Sequence, residues 1–320
     1  YELLNEPNLP SFNSDISRFW GGEYANLAKA SKQEIVKHDA AAEVGGPCVT
    51  GIEVNDSNSY ARGWNFYKTA IDSGLTDGTD VITVHSYPNN DGPYEGDRST
   101  RISDLARYVE EYKTASSGRI PEVWHTETGY SAGAMTEKNR GRLNIGMLTT
   151  IKYNRPNDIV ALYNFDSKGD VGREDKYGHV YGGYEDSKVW GYNYFPKDSY
   201  LMISAYNYVM ANSEPMRDCN PDSLNNIGTN GKLVRAKLFK SNKFKDKSTG
   251  EYKNILVVWA SNGGKYDITL DLGTKSVIRY DEYGNGENLN GIDGTYRVNT
   301  SYYPTYFVGN FTKAECTVTE

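Results

Sequence analysis

Cysteine is scarce in this chain: Cys48, Cys219 and Cys316 are the only three among 320 residues. Thiols so few and so scattered supply neither a clustered metal site nor a disulfide framework. Cys219 and Cys316 would meet if the first and last strands of a terminal domain lay side by side, but two separate buried thiols are the plainer expectation. Long apolar runs are missing as well. No stretch approaches the roughly 18 to 20 residues a membrane helix needs, and the first residues are not a basic region followed by an apolar one, so no membrane partner is expected. Positive charge is also in deficit, with 35 Lys and Arg against 42 Asp and Glu for a net charge of −7. That is the wrong sign for a surface that gathers phosphates by counterion release, and it argues against nucleic acid as a partner. Tyrosine is abundant instead, at 27 residues, and it inflates the hydrophobic share of 38%. A chain this long still has enough apolar material for a core.

From residue 1 to about 213, short runs rich in Val, Ile and aromatics alternate with longer segments of helical period. Such alternation predicts an α/β architecture built on a parallel sheet. The strand runs are residues 1–6, 42–51, 80–88, 121–128 and 158–166, which makes five βα units. A helix is expected from about residue 103, where Leu105, Tyr108, Val109 and Tyr112 form one apolar stripe opposite Arg107, Glu110 and Lys113. After about residue 214 the period drops to two. Val234, Ala236 and Leu238 alternate with Arg235 and Lys237, and Ile268, Leu270 and Leu272 with Asp267, Thr269 and Asp271, as in antiparallel sheets with one wet face. Ser261-Asn262-Gly263-Gly264 reads as a hairpin loop between two such strands, and the four lysines within residues 240–247 read as an exposed loop. The expected organisation is therefore an α/β domain over residues 1–213 and a small antiparallel β-sandwich over 214–320.

The chain starts without Met inside what reads as a strand. Five βα units are too few to close an eight-stranded barrel, whose open edges would expose unpaired backbone groups. A fragment, a processed product or half of a split protein is expected, with the missing barrel strands as its partner.

Two carboxylates stand out. Asn5-Glu6-Pro7 ends the first strand run, and His125-Thr126-Glu127-Thr128-Gly129 places a second glutamate at the end of another run in the same sheet. Parallel βα architectures put their chemistry at those strand ends. A pair of carboxyl groups at one mouth is the minimal equipment for cleaving a glycosidic bond, one protonating the departing oxygen and the other meeting the developing positive charge.

Asn5-Glu6-Pro7 and Thr126-Glu127 resemble the motifs closing the fourth and seventh strands of the clan A glycoside hydrolases, retaining enzymes on a (β/α)8 barrel. Val44-Gly45-Gly46-Pro47 and Val84-His85-Ser86-Tyr87-Pro88 look most like the fifth and sixth strands of family 39, the β-xylosidase and α-iduronidase family. The resemblance covers about residues 1–213, and the trailing sandwich suits it. It implies an incomplete (β/α)8 TIM barrel, strands four to eight, that hydrolyses O-glycosyl bonds of a plant or microbial polysaccharide by double displacement. Glu6 would be the general acid/base and Glu127 the nucleophile, with neither metal nor organic cofactor. Asn5 would bind the sugar 2-hydroxyl, and His85 and Tyr87 would line the subsite at the scissile bond, Tyr87 also holding the Glu127 carboxylate by a phenolic hydrogen bond. Where clan members carry a Trp under the sugar, this chain reads Leu162-Tyr163-Asn164-Phe165-Asp166, so Phe165 or Trp190 would supply the platform. A polysaccharide-degrading enzyme of this kind is expected to be secreted. Two readings compete: a non-catalytic carbohydrate-binding or scaffolding fragment, and a metal-dependent hydrolase using His85, His125 and a carboxylate.

Overall fold

The computed structural model describes residues 1–15, 18–50, 62–88, 110, 122–164, 166–167, 177–181, 195–216, 234–260 and 264–319. The chain forms two compact units, one of residues 1–90, 94–130 and 157–163, the other of 91–93, 131–156 and 164–320. The change of pattern near residue 214 lies within the second unit.

The first unit runs through α1 (Gly21–His38), β1 (Gly45–Thr50), α2 (Arg62–Asp72), the single turn α3 (Leu75–Gly78), β2 (Val81–His85), β3 (Glu122–Thr128) and β4 (Ile159–Leu162). The strands lie in the order β1-β2-β3-β4 and every neighbouring pair is parallel. All residues of β1 and β2 are buried, as in a parallel sheet covered on both faces. The strand expected over 1–6 is reduced to one parallel bridge, Glu2 to Gly45, because the backbone turns left-handed at Leu4 (φ 58°) and Glu6 (φ 41°). The run expected over 158–166 likewise splits. β4 stays in this sheet, whereas β5 (Asp166–Ser167) pairs with β6 (Val180–Tyr181), which pairs with β7 (Phe195–Pro196) in the second unit. Of the helix expected from residue 103, only helical Glu110 falls within the described residues.

The α1 helix starts where the Glu23 carboxylate accepts the Trp20 N–H at 3.1 Å, satisfying an otherwise orphaned donor. Its buried face of Tyr24, Ala25 and Ala28 packs inward. A Cβ at Gly21 would sit 2.5 Å from the Phe66 carbonyl oxygen, so glycine is what lets α1 and α2 touch backbone to backbone.

The second unit contains α4 (Glu137–Asn154) and α5 (Asp198–Met210), followed by antiparallel strands. These are β8 (Glu214–Pro215), β9 (Val234–Lys245), β10 (Tyr252–Ala260), β11 (Tyr266–Asp271), β12 (Ser276–Tyr280), β13 (Gly286–Asn290), β14 (Thr295–Thr300), β15 (Thr305–Gly309) and β16 (Glu315–Thr319). They make a six-stranded sheet, β13-β12-β15-β10-β9-β8, and a three-stranded one, β14-β11-β16. Val234, Leu256, Val258, Ile268, Leu270 and Phe307 belong to the apolar core that both sheets share. The β10–β11 connection is therefore a crossover between sheets and not the hairpin its turn residues predicted. Cys316 is a buried free thiol; Cys219 lies outside the described residues.

The outer face of the six-stranded sheet is dry where α4 lies over it. Phe239, Ile255, Val257 and Trp259 are buried there. Helix α4 covers them, with the Tyr153 and Phe239 rings 5.7 Å apart and the Lys237 ammonium 4.3 Å from the Tyr153 ring centre. Inside the same unit, Arg140 is fully buried and donates to the Glu137 carboxylate at 2.7 Å, to Ser199 Oγ at 2.6 Å and to the carbonyls of Tyr177 and Gly178. Among the described residues no helix is long and apolar enough to cross a membrane.

Candidate active site

The segment that carries Glu6 is not a full strand, so side chains hold it. Tyr24 donates its hydroxyl to the Leu3 carbonyl at 2.6 Å, and a Cβ on Gly46 would collide with that hydroxyl. The second glycine of Val44-Gly45-Gly46-Pro47 is therefore the space in which Tyr24 reaches the N-terminal segment. The Cys48 thiol donates to the Leu4 carbonyl from a left-handed position (φ 41°) at a bulge in β1. Past Glu6, the buried Asn8 side chain exchanges hydrogen bonds with the Thr50 backbone, at 3.0 Å to its carbonyl and 3.3 Å from its N–H. Glu6 is thus fixed from both sides in a conformation that a non-glycine residue adopts only under constraint.

Glu127 is placed by another irregularity. In the β2–β3 ladder Val84 faces His125 and His85 faces Glu127, so β3 carries one extra residue, Thr126. Thr126 donates to the Glu2 carboxylate at 2.7 Å. Below the bulge is a buried chain: His125 Nε2 lies 3.2 Å from Asp158 Oδ2, and His125 Nδ1 lies 2.8 Å from Ser86 Oγ. Ser86 also donates its N–H to the Glu127 carbonyl at 3.0 Å and accepts from Thr128 Oγ1 on its own carbonyl at 2.7 Å. These bonds lock the His85–Tyr87 segment to the Glu127 segment.

The functional atoms meet above that lock. His85 Nδ1 is 3.0 Å from Glu6 Oε1 and 3.5 Å from Glu127 Oε2, and Tyr87 donates its hydroxyl to the same Glu127 oxygen at 2.9 Å. One oxygen of each glutamate and a His85 nitrogen all lie within 4.8 Å of one another. Ionised carboxylates only accept hydrogen bonds, so with both charged the shared Nδ1 must carry a proton. Burial raises the Glu127 pKa above the usual carboxylate range; the charge of His85 and the Tyr87 hydrogen bond oppose that, while Glu6 and Glu2 reinforce it. The Tyr163 ring meets Tyr87 edge to face at 6.2 Å.

Four of the seven site residues read from the sequence, Glu6, His85, Tyr87 and Glu127, thus converge. Asn5 is exposed, and its side chain makes no hydrogen bond among the described residues. Phe165 and Trp190 lie outside them. His125 does not join His85 in a ligand set, because both of its nitrogens are engaged by Ser86 and Asp158. Sequence reasoning missed Glu2, Cys48, Ser86 and Asp158 as parts of the site. Ser86 had a signal, lying between the two quoted site residues of β2, and Asp158 opens the expected fifth strand; Glu2 and Cys48 had none.

No family model matches the chain, and no curated protein matches it in sequence. Its fold does match solved structures. A family 39 glycoside hydrolase from the gut symbiont Bacteroides cellulosilyticus WH2 superposes with a TM-score of 0.69 at 17% identity, covering 97% of this chain and 57% of that one. A family 86 glycoside hydrolase solved with neoagarooctaose gives 0.62 at 13% identity over 98% and 50%. A family 30 endoxylanase from Clostridium papyrosolvens C71 gives 0.55 at 12% over 97% and 64%. The chain spans between half and two thirds of the length of these proteins. At such identities the likeness is one of fold, a mixed α/β architecture with parallel and antiparallel sheets that is shared by glycoside hydrolases of several families.

Proposed function

We propose that this chain is the later part of a retaining glycoside hydrolase of clan A, with strands four to eight of a (β/α)8 barrel followed by the sandwich, and with family 39 as its nearest type. The observation that carries the reading is the approach of Glu6 and Glu127, an oxygen of each lying within 4.8 Å of the other. Retaining enzymes hold their carboxyl pair about 5 to 5.5 Å apart, whereas inverting ones need about 6.5 to 9.5 Å to admit a water. The separation favours double displacement.

In that reaction Glu127 attacks the anomeric carbon while Glu6 gives its proton to the departing oxygen. A glycosyl ester forms on Glu127. Glu6 then takes a proton from water, which attacks the same carbon and frees Glu127. The nucleophile must be ionised; burial works against that at Glu127, and Tyr87 and His85, both beside its Oε2, oppose the burial. The substrate is a plant or microbial polysaccharide or oligosaccharide, and the enzyme is secreted, since such polymers do not enter cells.

The test is separate replacement, Glu6→Gln and Glu127→Gln, in the complete protein. Each should lower hydrolysis of 4-nitrophenyl glycosides by about 10²- to 10⁴-fold. A 2-deoxy-2-fluoro glycoside should add its sugar mass to a peptide containing Glu127. Hydrolysis undiminished in both variants would overturn the assignment, and saccharide binding without turnover would leave the carbohydrate-binding reading in its place.

A further inference from the structure

The lysine-rich stretch that reads as a loop is instead the end of β9 and the turn that follows it, and it walls a cavity. This cavity has a volume of about 500 Å³, within the range of small-ligand sites. Its floor is apolar. Val308 pairs with Ile278 on one side and with Ile255 on the other, so the floor belongs to the outer face of the six-stranded sheet. Helix α5 reaches this end of the sheet through Tyr208, whose ring meets Phe244 at 6.1 Å and Tyr280 at 6.4 Å. Phe244 forms one wall, and the half-buried Ile278 lies beyond it beside the buried Val308.

The rim is cationic. Lys243, Lys245, Lys247 and Lys253 line the cavity with a single acid, Asp246, in a protein whose net charge is −7. Asp246 offsets one of these charges, and its hydrogen bonds go to the turn. Its carboxylate accepts from the Ser248 N–H at 2.8 Å, the Thr249 N–H at 3.1 Å and Asn310 at 2.8 Å, and it builds the turn. Lys243 is tied to the Tyr208 carbonyl at 2.9 Å, and Lys245 lies 4.6 Å from the Tyr252 ring centre. Lys247 and Lys253 have no partner among the described residues. The cavity therefore offers an apolar patch, an aromatic wall and an excess of ammonium groups, with two of the four lysines anchored to its frame.

We propose that this cavity is a second carbohydrate site, separate from the glutamate pair, that binds an anionic glycan. The apolar floor and the Phe244 ring take the C–H face of a sugar, and Lys247 and Lys253 take its carboxylate or sulfate. A neutral sugar would make no use of the ammonium groups, and a bare anion none of Phe244 and Ile278. The choice of a glycan as ligand rests on the hydrolase reading, whereas the lysine-rimmed cavity itself does not, and binding is read separately from hydrolysis.

Isothermal titration of the full chain tests this with polygalacturonate, dextran sulfate, neutral dextran, polyglutamate and inorganic sulfate, at low and high salt. At least one acidic glycan should bind, the other probes should bind far more weakly, and high salt should weaken the complex. Retention of polygalacturonate alone or of dextran sulfate alone names the anion. K247Q/K253Q should weaken binding roughly tenfold, the scale of two exposed ion pairs, while hydrolysis of a small aryl glycoside stays unchanged. Phe244→Ala should weaken glycan binding without altering charge. Equal binding of polyglutamate or inorganic sulfate would overturn the proposal in favour of plain anion adsorption. Equal binding of neutral dextran, or full affinity in K247Q/K253Q or Phe244→Ala, would overturn it as well.

Discussion

Between the two sheets of the sandwich the buried side chains are aliphatic or aromatic, from Val234 through Leu256 and Ile268 to Phe307. At the ends of β2 and β3 they are His85, Ser86, His125 and Thr128, each almost inaccessible to water. Both regions are enclosed, yet only the first gains freely from enclosure, since a buried polar group costs about 1 to 3 kcal/mol unless it is bonded. The strand ends meet that cost with the Asp158–His125–Ser86 chain and the Tyr87–Glu127 bond, and still leave two carboxylates sharing one imidazole. Such an arrangement adds little to stability. The contrast teaches that polar burial by itself does not mark a site, because Arg140 is just as deep but has fixed partners on Glu137, Ser199 and two carbonyls. What marks the strand ends is charge that its surroundings leave incompletely settled.

That contrast can be broken most severely in the second unit. Arg140→Ala should cost about 3 to 5 kcal/mol in denaturant unfolding, because it removes the ion pair with Glu137 and leaves the Tyr177 and Gly178 carbonyls without the guanidinium. Phe307→Ala should cost a similar amount by opening a cavity in the sandwich; a loss under 1 kcal/mol would mean that this core repacks. In the first unit His125→Ala should cost about 1 to 3 kcal/mol, from the buried hydrogen bonds to Ser86 Oγ and Asp158 that it removes. Tyr87→Phe should change stability by roughly 1 kcal/mol or less, yet slow glycoside hydrolysis about tenfold. A variant as active as the wild type would remove Tyr87 from the site.

The subtlest test uses pH. Burial raises the Glu127 pKa, so the folded protein prefers this group protonated, and ionising it costs stability. The cost is absent below the ordinary carboxylate range, appears as pH rises through that range, and is complete above the raised value. Glu127→Gln should therefore melt higher than the wild type near pH 7, and the gain should vanish towards pH 3.5. A gain of the same size at both pH values would show that charge is not its origin.

Much of this was legible in the sequence because the signals are local. A strand run ending in a glutamate, repeated in one sheet, brings two carboxylates to one rim, and the two-residue step from His85 to Tyr87 places both beside them. The unread part depends on contacts remote in the chain. Ser261 to Gly264 has the composition of a hairpin loop, but the same residues serve a crossover between sheets, and only the pairing of β10 with β15 distinguishes the two. The wet face predicted for the sandwich holds on β11, where Asp267, Thr269 and Asp271 are not buried, and fails on the six-stranded sheet where α4 lies over it. The unbroken apolar run Ile255–Trp259 carried that information, since a strand covered on both faces has no reason to alternate. The loss of the first strand at Leu4 and Glu6 had no such trace, for nothing in Tyr1-Glu2-Leu3-Leu4 requires a left-handed turn.

The route of the chain has a practical consequence. It leaves the first compact unit after residue 130, returns for residues 157–163 and leaves again. No single peptide bond separates the two, so one protease nick cannot release either intact. Expressing residues 214–320 alone would strip α4 from Phe239, Ile255, Val257 and Trp259, and should yield sticky, aggregating material. Dissecting this polypeptide therefore calls for circular permutation or co-expression of complementary pieces, because truncation leaves half of a shared thread behind.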